Sequence, residues 1–331
     1  MKLGIVGSGM IVQDFLPHLI QIEDLEIVAL VSTKRSFLKA QELCKQYGIK
    51  NACDDFDALK QFDIDTIYIA LPNHLHYMYA KKALENGYHV ILEKPFTSTI
   101  EEALELKEIA KEKNLFIFEA ITTLHFDTYH QIKNWLNRIG KVKNVMMKFS
   151  QYSSRYDAFK NGDIAPVFDV NKAGGALMDL NIYNVHFVMG LFGKPKDSKY
   201  YAHKEKDIDT SGTILLLYED FTAVCFAAKD ASGPALFTIE GNEGYITITN
   251  TPNLIGEIIL TMRNGEIERI KEEYCEARCV MEFKRFIEAI KNHDEEFYQH
   301  YLNKSLEVLD VLTKVRREEG IYFPNDKEKL S

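Results

Sequence analysis

The run Leu3-Gly4-Ile5-Val6-Gly7-Ser8-Gly9-Met10-Ile11-Val12 limits the fold of this chain more than any other stretch. A short apolar strand leads straight into two glycines, and an apolar helical pattern begins directly after them. Glycine at position 7 permits a tight turn out of the strand, and glycine at position 9 lets backbone approach a diphosphate. The helix opening at Met10 and Ile11 then offers unbonded N–H groups and the positive end of its dipole. Val12 stands where a third glycine would complete the fingerprint, a departure that bears on helix–strand packing rather than on phosphate contact. This context predicts a dinucleotide site built from Gly7, Ser8, Gly9, Met10 and Ile11. The plain alternative is an ordinary β–α turn.

The pattern continues downstream. Apolar runs at Ile27–Val31, Thr66–Leu71, His89–Leu92 and Leu115–Phe118 alternate with helical periodicity over the first ~120 residues, as parallel strands joined by crossover helices do. Thr99 and Glu102 have the spacing of a capping box at the start of a helix over Thr99–Lys113, and Gly87 follows Ala80–Asn86 as a stop. A preference for NAD places an acid about 20 residues beyond the glycine turn. Here the second strand runs out as Val31-Ser32-Thr33-Lys34-Arg35. Ser32, Thr33 and Arg35 suit a 2′-phosphate, with Arg35 able to make paired charge-assisted bonds, so NADP(H) is expected over NAD(H).

Beyond Val142 the style changes. Strand-like runs occur at Val142–Tyr152, Thr213–Tyr218, Phe221–Ala228, Ala235–Glu240, Tyr245–Thr249 and Ile255–Met262, and Asn264-Gly265 reads as a hairpin turn. Helical patterns follow at Ala277–Lys291 and Leu302–Arg316. The expected class is α/β, with an N-terminal Rossmann dinucleotide-binding domain over 1–122. A C-terminal α+β domain with an open, mainly antiparallel sheet is expected over 123–331.

Charge and cysteine content narrow the function classes. The 331 residues carry a net charge of −9, which argues against nucleic acid or an anionic membrane as a partner. No apolar stretch is long enough to span a bilayer, and Met1-Lys2 leads too quickly into Leu3 for a signal peptide, so the cytoplasm is the expected compartment. The five cysteines are scattered. Cys275 and Cys279 would share a helical face, but no matching Cys or His pair completes a zinc site, so reduced thiols and no metal are expected.

Three further pieces follow the glycine turn in order. They are Leu71-Pro72-Asn73-His74-Leu75-His76, Glu93-Lys94-Pro95, and Gly174-Gly175-Ala176-Leu177-Met178-Asp179-Leu180-Asn181-Ile182-Tyr183. Together with the closing Glu319-Gly320-Ile321-Tyr322-Phe323-Pro324, the set resembles the glucose–fructose oxidoreductase / inositol dehydrogenase family (Gfo/Idh/MocA) over nearly the whole chain. The tyrosine four residues after Asp179 makes it most similar to the branch of dimeric dihydrodiol dehydrogenase and NADP-linked xylose dehydrogenases.

The resemblance implies an NADP(H)-dependent oxidoreductase acting on a CH–OH or C=O carbon of a sugar, polyol or cyclic diol. It implies that Leu71, Pro72, Asn73 and His76 line the cofactor, and that Glu93 and Pro95 fix the loop around Lys94. Lys94, at the end of an apolar strand, would stabilise the oxyanion. Tyr183 would exchange the proton, its phenol needing a nearby cation to work near neutrality. Asp179 would orient these groups. A homodimer or larger assembly through the second sheet is implied as well. His186, Arg155 and Tyr156 are further candidates. Ile121–Asp127 lacks the arginine and proline of relatives, which leaves the substrate open. A catalytically silent dinucleotide sensor and an NAD-dependent member of the family are the alternatives.

Overall fold

The computed structural model describes residues 1–274 and 277–326, arranged as two compact units. Cys275 lies outside the described residues. Cys44, Cys53, Cys225 and Cys279 are buried free thiols, and burial pushes Cys44 up to about 11. None of the described helices is long and apolar enough to cross a membrane.

The first unit comprises Met1–Ala120 and Cys279–Leu306. Its strands are β1 (Lys2–Val6), β2 (Glu26–Val31), β3 (Asn51–Cys53), β4 (Thr66–Ile69), β5 (His89–Glu93) and β6 (Ile117–Ala120). They form one sheet in the order β3-β2-β1-β4-β5-β6, every neighbouring pair parallel. Ile5, Leu30, Ile67, Val90 and Ile117 are wholly buried. A parallel sheet covered on both faces needs such unbroken apolar strands, which is why the runs showed no alternation. The last strand starts at Ile117 rather than Leu115 because Asn114 takes a left-handed conformation and Leu115 donates back to Ala110 to finish the helix. Thr99 caps this helix as expected, its hydroxyl accepting the Glu102 N–H, while the Glu102 carboxylate reaches one residue further back and accepts the Ser98 N–H at 3.0 Å.

The chain returns to this sheet late in the sequence. On the helix Cys279–Asn292, Phe286 stacks on Phe118 with ring centres 4.5 Å apart, and Phe283 meets Tyr68 edge-on at 5.3 Å. Tyr298 on the helix Glu295–Glu318 stacks on Phe116 at 4.5 Å. The first unit is therefore discontinuous in sequence.

The second unit comprises Ile121–Arg278 and the chain from Glu307 on. Its strands are β7 (Val142–Ser150), β8 (Asp197–Glu205), β9 (Ile208–Leu217), β10 (Thr222–Ala228), β11 (Leu236–Gly241), β12 (Gly244–Ile248), β13 (Glu257–Met262) and β14 (Ile267–Lys271). They run β14-β13-β12-β11-β7-β10-β9-β8, antiparallel except for the central β7–β10 pair. Gly265, at φ +91, turns β13 into β14 as the Asn-Gly pair predicts. The edge strand β8 escaped sequence reading because only Ser198 and Tyr200 of its nine residues are buried, so it carries no apolar alternation.

A buried ion pair closes this unit. Arg316 Nη1 and Nη2 bond Asp326 at 2.6 and 2.8 Å, both side chains being 1 % exposed, and Asp326 also accepts the N–H of Phe323. Burial alone would raise the Asp326 carboxyl, but Arg316, the Phe323 N–H and Arg317 hold it below the usual carboxylate range. Removing one member of a buried pair strands the other charge, so Asp326→Ala should lower unfolding stability by about 3–5 kcal/mol, read by chemical denaturation.

Candidate active site

The strand order of the first unit reverses between β1 and β4, and a parallel sheet leaves a crevice at such a point. A cavity of about 730 Å³ occupies it, lined by Gly7, Ser8 and Gly9 after β1, Ser32 to Ser36 after β2, and Ala70 to Pro72 after β4. Gly7 sits at φ +124, and a Cβ there would lie 2.2 Å from the Ala70 carbonyl oxygen. Only glycine allows β1 to turn so close to β4. Gly9 faces open space and caps the helix Met10–Leu19, whose first turn carries no acid. The first N–H groups of that helix have no intrahelical acceptor and no side-chain cap, the donors that binding of an anion requires.

At the β2 side, Lys34, Arg35 and Lys39 make the lining basic. The turn presenting them is held by Ser36 N–H donating to Thr33 O at 2.9 Å and by the 2.9 Å contact between the Thr33 and Ser36 hydroxyls. Asp54 and Asp55, beyond β3, also line the cavity, as do Phe56, Met78, Tyr79 and Lys82. Sequence reasoning missed these because they come from separate crossovers. Lys82 reaches Asp57 at 2.7 Å and lies 4.9 Å from the centre of the Phe56 ring. Diphosphate-sized space, unbonded helix N–H groups and a basic end together fit a dinucleotide.

Six residues expected at the cofactor stand outside that lining: Met10, Ile11, Asn73, His76, Glu93 and Lys94. Met10 is 75 % exposed. His76 is fully buried, its Nδ1 and Nε2 each 2.8 Å from the carbonyl oxygens of Pro95 and Leu71. Burial lowers its pKa, although the two carbonyls pull the other way. His76 thus ties the segment after β4 to the one after β5.

Lys94 follows β5, half-buried, in a clamped loop. Glu93 is buried and accepts the Tyr68 hydroxyl at 2.6 Å. The Lys94–Pro95 peptide bond is cis. Glu119 on β6, not anticipated from the sequence, accepts the N–H of Phe96 at 2.9 Å. The Tyr68–Glu93, His76–Pro95 and Phe96–Glu119 bonds together hold the loop around Lys94.

In the second unit, Asp179 and Tyr183 lie on the segment that follows Gly174-Gly175. A Cβ on Gly175 would meet Asp209 Oδ1 at 2.1 Å, and one on Gly174 the Pro166 carbonyl oxygen at 2.7 Å, so both glycines answer a close approach. The helix opens with a π turn over Leu177–Asn181 and becomes α only at Ile182. In a regular α-helix Asp179 and Tyr183, four apart, would share one face; the wider turn shifts Asp179 relative to Tyr183. Such turns cluster at functional sites. Tyr183 is half-buried against Phe149, Leu180 and Ala227.

Asp179 pairs with Lys229, a buried lysine just past β10. Asp209, wholly buried, accepts the Leu177 N–H at 2.6 Å and the Tyr200 hydroxyl at 2.8 Å. Sequence reasoning passed over both. The one available signal was a strand, Thr222–Ala228, running out into Lys229-Asp230, as β5 runs out into Lys94. Of the remaining candidates, Tyr156 donates its hydroxyl to Glu205, which with burial raises its pKa to about 12, Arg155 is exposed, and His186 is buried.

Residues 1–120 match the GFO/IDH/MocA family model, described as an oxidoreductase family with an NAD-binding Rossmann fold, and residues 129–247 match the GFO/IDH/MocA C-terminal domain. The scyllo-inositol 2-dehydrogenase (NADP(+)) IolU of Bacillus subtilis is 31 % identical over 328 residues, covering 98 % of this chain and 99 % of the relative. Trans-1,2-dihydrobenzene-1,2-diol dehydrogenase of Mus musculus is 25 % identical over 344 residues, 99 % of either chain. KijD10, a 3-ketoreductase from Actinomadura kijaniata solved with NADP and TDP-benzene, aligns with a TM-score of 0.82 at 22 % identity, covering 96 % of this chain and 97 % of that one, a likeness of fold.

Burial raises the Asp209 carboxyl to about 6 against the pull of its hydrogen bonds. The fold thus favours its protonated form, so its stabilising contribution is complete below an ordinary carboxyl pKa near ~4 and is lost as pH rises through about 6. The unfolding free energy of the wild type relative to Asp209→Asn should therefore fall by roughly 3 kcal/mol across that window, measured by denaturation at a series of pH values.

Proposed function

This chain belongs to the GFO/IDH/MocA family of oxidoreductases, and from that premise we propose that it is an NADP(H)-dependent enzyme acting on a CH–OH or C=O carbon of a sugar, polyol or cyclic diol. The observation that carries the reading is Lys94, held at the end of β5 by the anchors Glu93, His76 and Glu119. A lysine on a loop anchored in this way is suited to bond an oxygen whose charge grows during reaction. NADP(H), when bound, supplies or accepts the hydride.

Gly7, Ser8 and Gly9 hold the diphosphate at the start of the helix Met10–Leu19, which has no side-chain cap. Ser32, Thr33 and Arg35 hold the 2′-phosphate, with Lys34 and Lys39 adding positive charge. Lys94 favours the alkoxide. Tyr183 gives the proton to the oxyanion in reduction and takes it in oxidation. Asp179 orients the reacting groups. The names of the relatives support an alcohol–carbonyl interconversion and NADP, as in scyllo-inositol 2-dehydrogenase (NADP(+)).

A second reading, with NAD as cofactor, draws on Asp54, which lines the cavity from β3 and could accept a ribose hydroxyl. We also propose that the exposed sheet face carrying Leu236 and Tyr245 packs against a second copy of the chain, as the family likeness suggests. Buried free thiols suit the reducing cytoplasm.

Two measurements test the core of this proposal. In an NADPH-oxidation and NADP-reduction screen over carbonyls, sugars and cyclic diols, Lys94→Ala and Tyr183→Phe should each lower kcat by about 10²-fold or more while cofactor affinity holds. Unchanged turnover in either variant removes that residue from the chemistry. Separately, fluorescence titration should show Arg35→Ala weakening NADPH by about 10-fold or more, the worth of a charge-assisted bond, with little change for NADH. Tighter binding of NADH than NADPH by the wild type would favour the second reading.

A further inference from the structure

Lys229 lies beyond every motif of the sequence. Its side chain is 4 % exposed. Lysines are almost never so buried unless paired, and its partner is Asp179. The ammonium lies 5.3 Å from the centre of the Phe168 ring. Its backbone is pinned on both sides, the N–H donating to Thr210 O at 2.8 Å and the carbonyl accepting the Ser153 N–H at 2.8 Å. The base of this side chain therefore has little freedom to follow a moving carboxylate.

The same cation acts on Asp209, whose carboxylate it favours. Asp209 grips the N–H of Leu177, the first residue of the π turn, and Asp179 stands in the middle of that turn. One lysine thus serves two carboxylates that hold a single turn at two points. The other titratable groups around Asp209 are Tyr200, which donates to it, and Asp230, which accepts from Thr210 and Ser211. Stability alone is a weak reason for such an arrangement, because an apolar replacement of a buried ion pair is often neutral or better.

We propose that Lys229 is a positioning residue for the reaction: it keeps the Asp179 carboxylate ionised and fixed, and with it the π turn that leads into Tyr183. This rests on the functional reading above. Without Lys229, Asp179 takes up a proton more readily and can no longer accept a hydrogen bond at both oxygens.

The test is a double-mutant cycle of Lys229→Met and Asp179→Asn, assayed on whichever substrate the wild type turns over with NADPH or NADP. Lys229→Met should lower kcat by about 10²-fold, leave NADPH affinity unchanged, and move the acid limb of the kcat/KM profile upward by about a pH unit. The double variant should be no slower than Asp179→Asn by more than about 3-fold, since residues acting as a unit are not additive. That variant leaves no stranded charge, so it keeps the test open if Lys229→Met alone does not fold. A folded Lys229→Met with wild-type kcat and acid limb, or effects that multiply in the double variant, overturns the proposal while the functional reading stands. A wild type inert across the whole screen overturns the functional reading and this proposal together.

Discussion

A buried carboxylate accepting a backbone N–H beside a candidate catalytic residue is the device on which both units depend. Glu119 does this for Phe96, two residues after Lys94, and Asp209 does it for Leu177, two residues before Asp179. Glu102 holds Ser98 and Asp326 holds Phe323 in the same way. Turns and helix starts leave backbone donors without partners, and a buried donor left unpaired is costly. An ionised acceptor makes a stronger bond than a carbonyl, so one side chain can fix a stretch that no strand or helix ladder reaches. The cost is desolvation of the carboxylate, visible in the raised pKa of Asp209.

In the first unit the consequence is a rigid platform. The parallel sheet ends in loops, and those loops would be free but for long-range ties. His76 joins the loop after β4 to the loop after β5, and Glu93 joins the latter to Tyr68 on β4. The glycine turn beside them works by the opposite principle. Gly7 and Gly9 contribute by having no side chain, one so that two strands can lie close and the other so that a ligand can. In the second unit charge is treated more expensively. Lys229, Asp179 and Asp209 are brought together around one π turn, an arrangement suited to holding geometry rather than to adding stability.

Much of the fold was legible because it is repetitive. Unbroken apolar runs announced the parallel strands, Thr99 and Glu102 the start of their helix, and Asn264-Gly265 the β13–β14 hairpin. The glycine turn and the basic end of the cavity were legible too, since Gly7 to Gly9 and Ser32 to Arg35 are contiguous. What escaped was whatever lacks a local period. The edge strand β8 has too few buried residues to alternate. The π turn at Leu177–Asn181 has no composition of its own, being stabilised by Asp209 from another strand. His76 was read as a cofactor neighbour from the family resemblance, and the bonds of its ring to two carbonyls, which tie two loops together, had no signal in the sequence.

The sequence by itself determined the class of most elements and the place of the glycine turn, since local sterics and short-range periodicity decide these, while the family resemblance singled out Lys94, Asp179 and Tyr183. Tertiary structure alone decided what holds them. The anchors Tyr68, His76 and Glu119, and the partners Lys229 and Asp209, are each about 19 or more residues from the group they serve. It likewise decided that Cys279–Leu306 returns to the first sheet, because an amphipathic helix states that it must cover an apolar surface without stating which one.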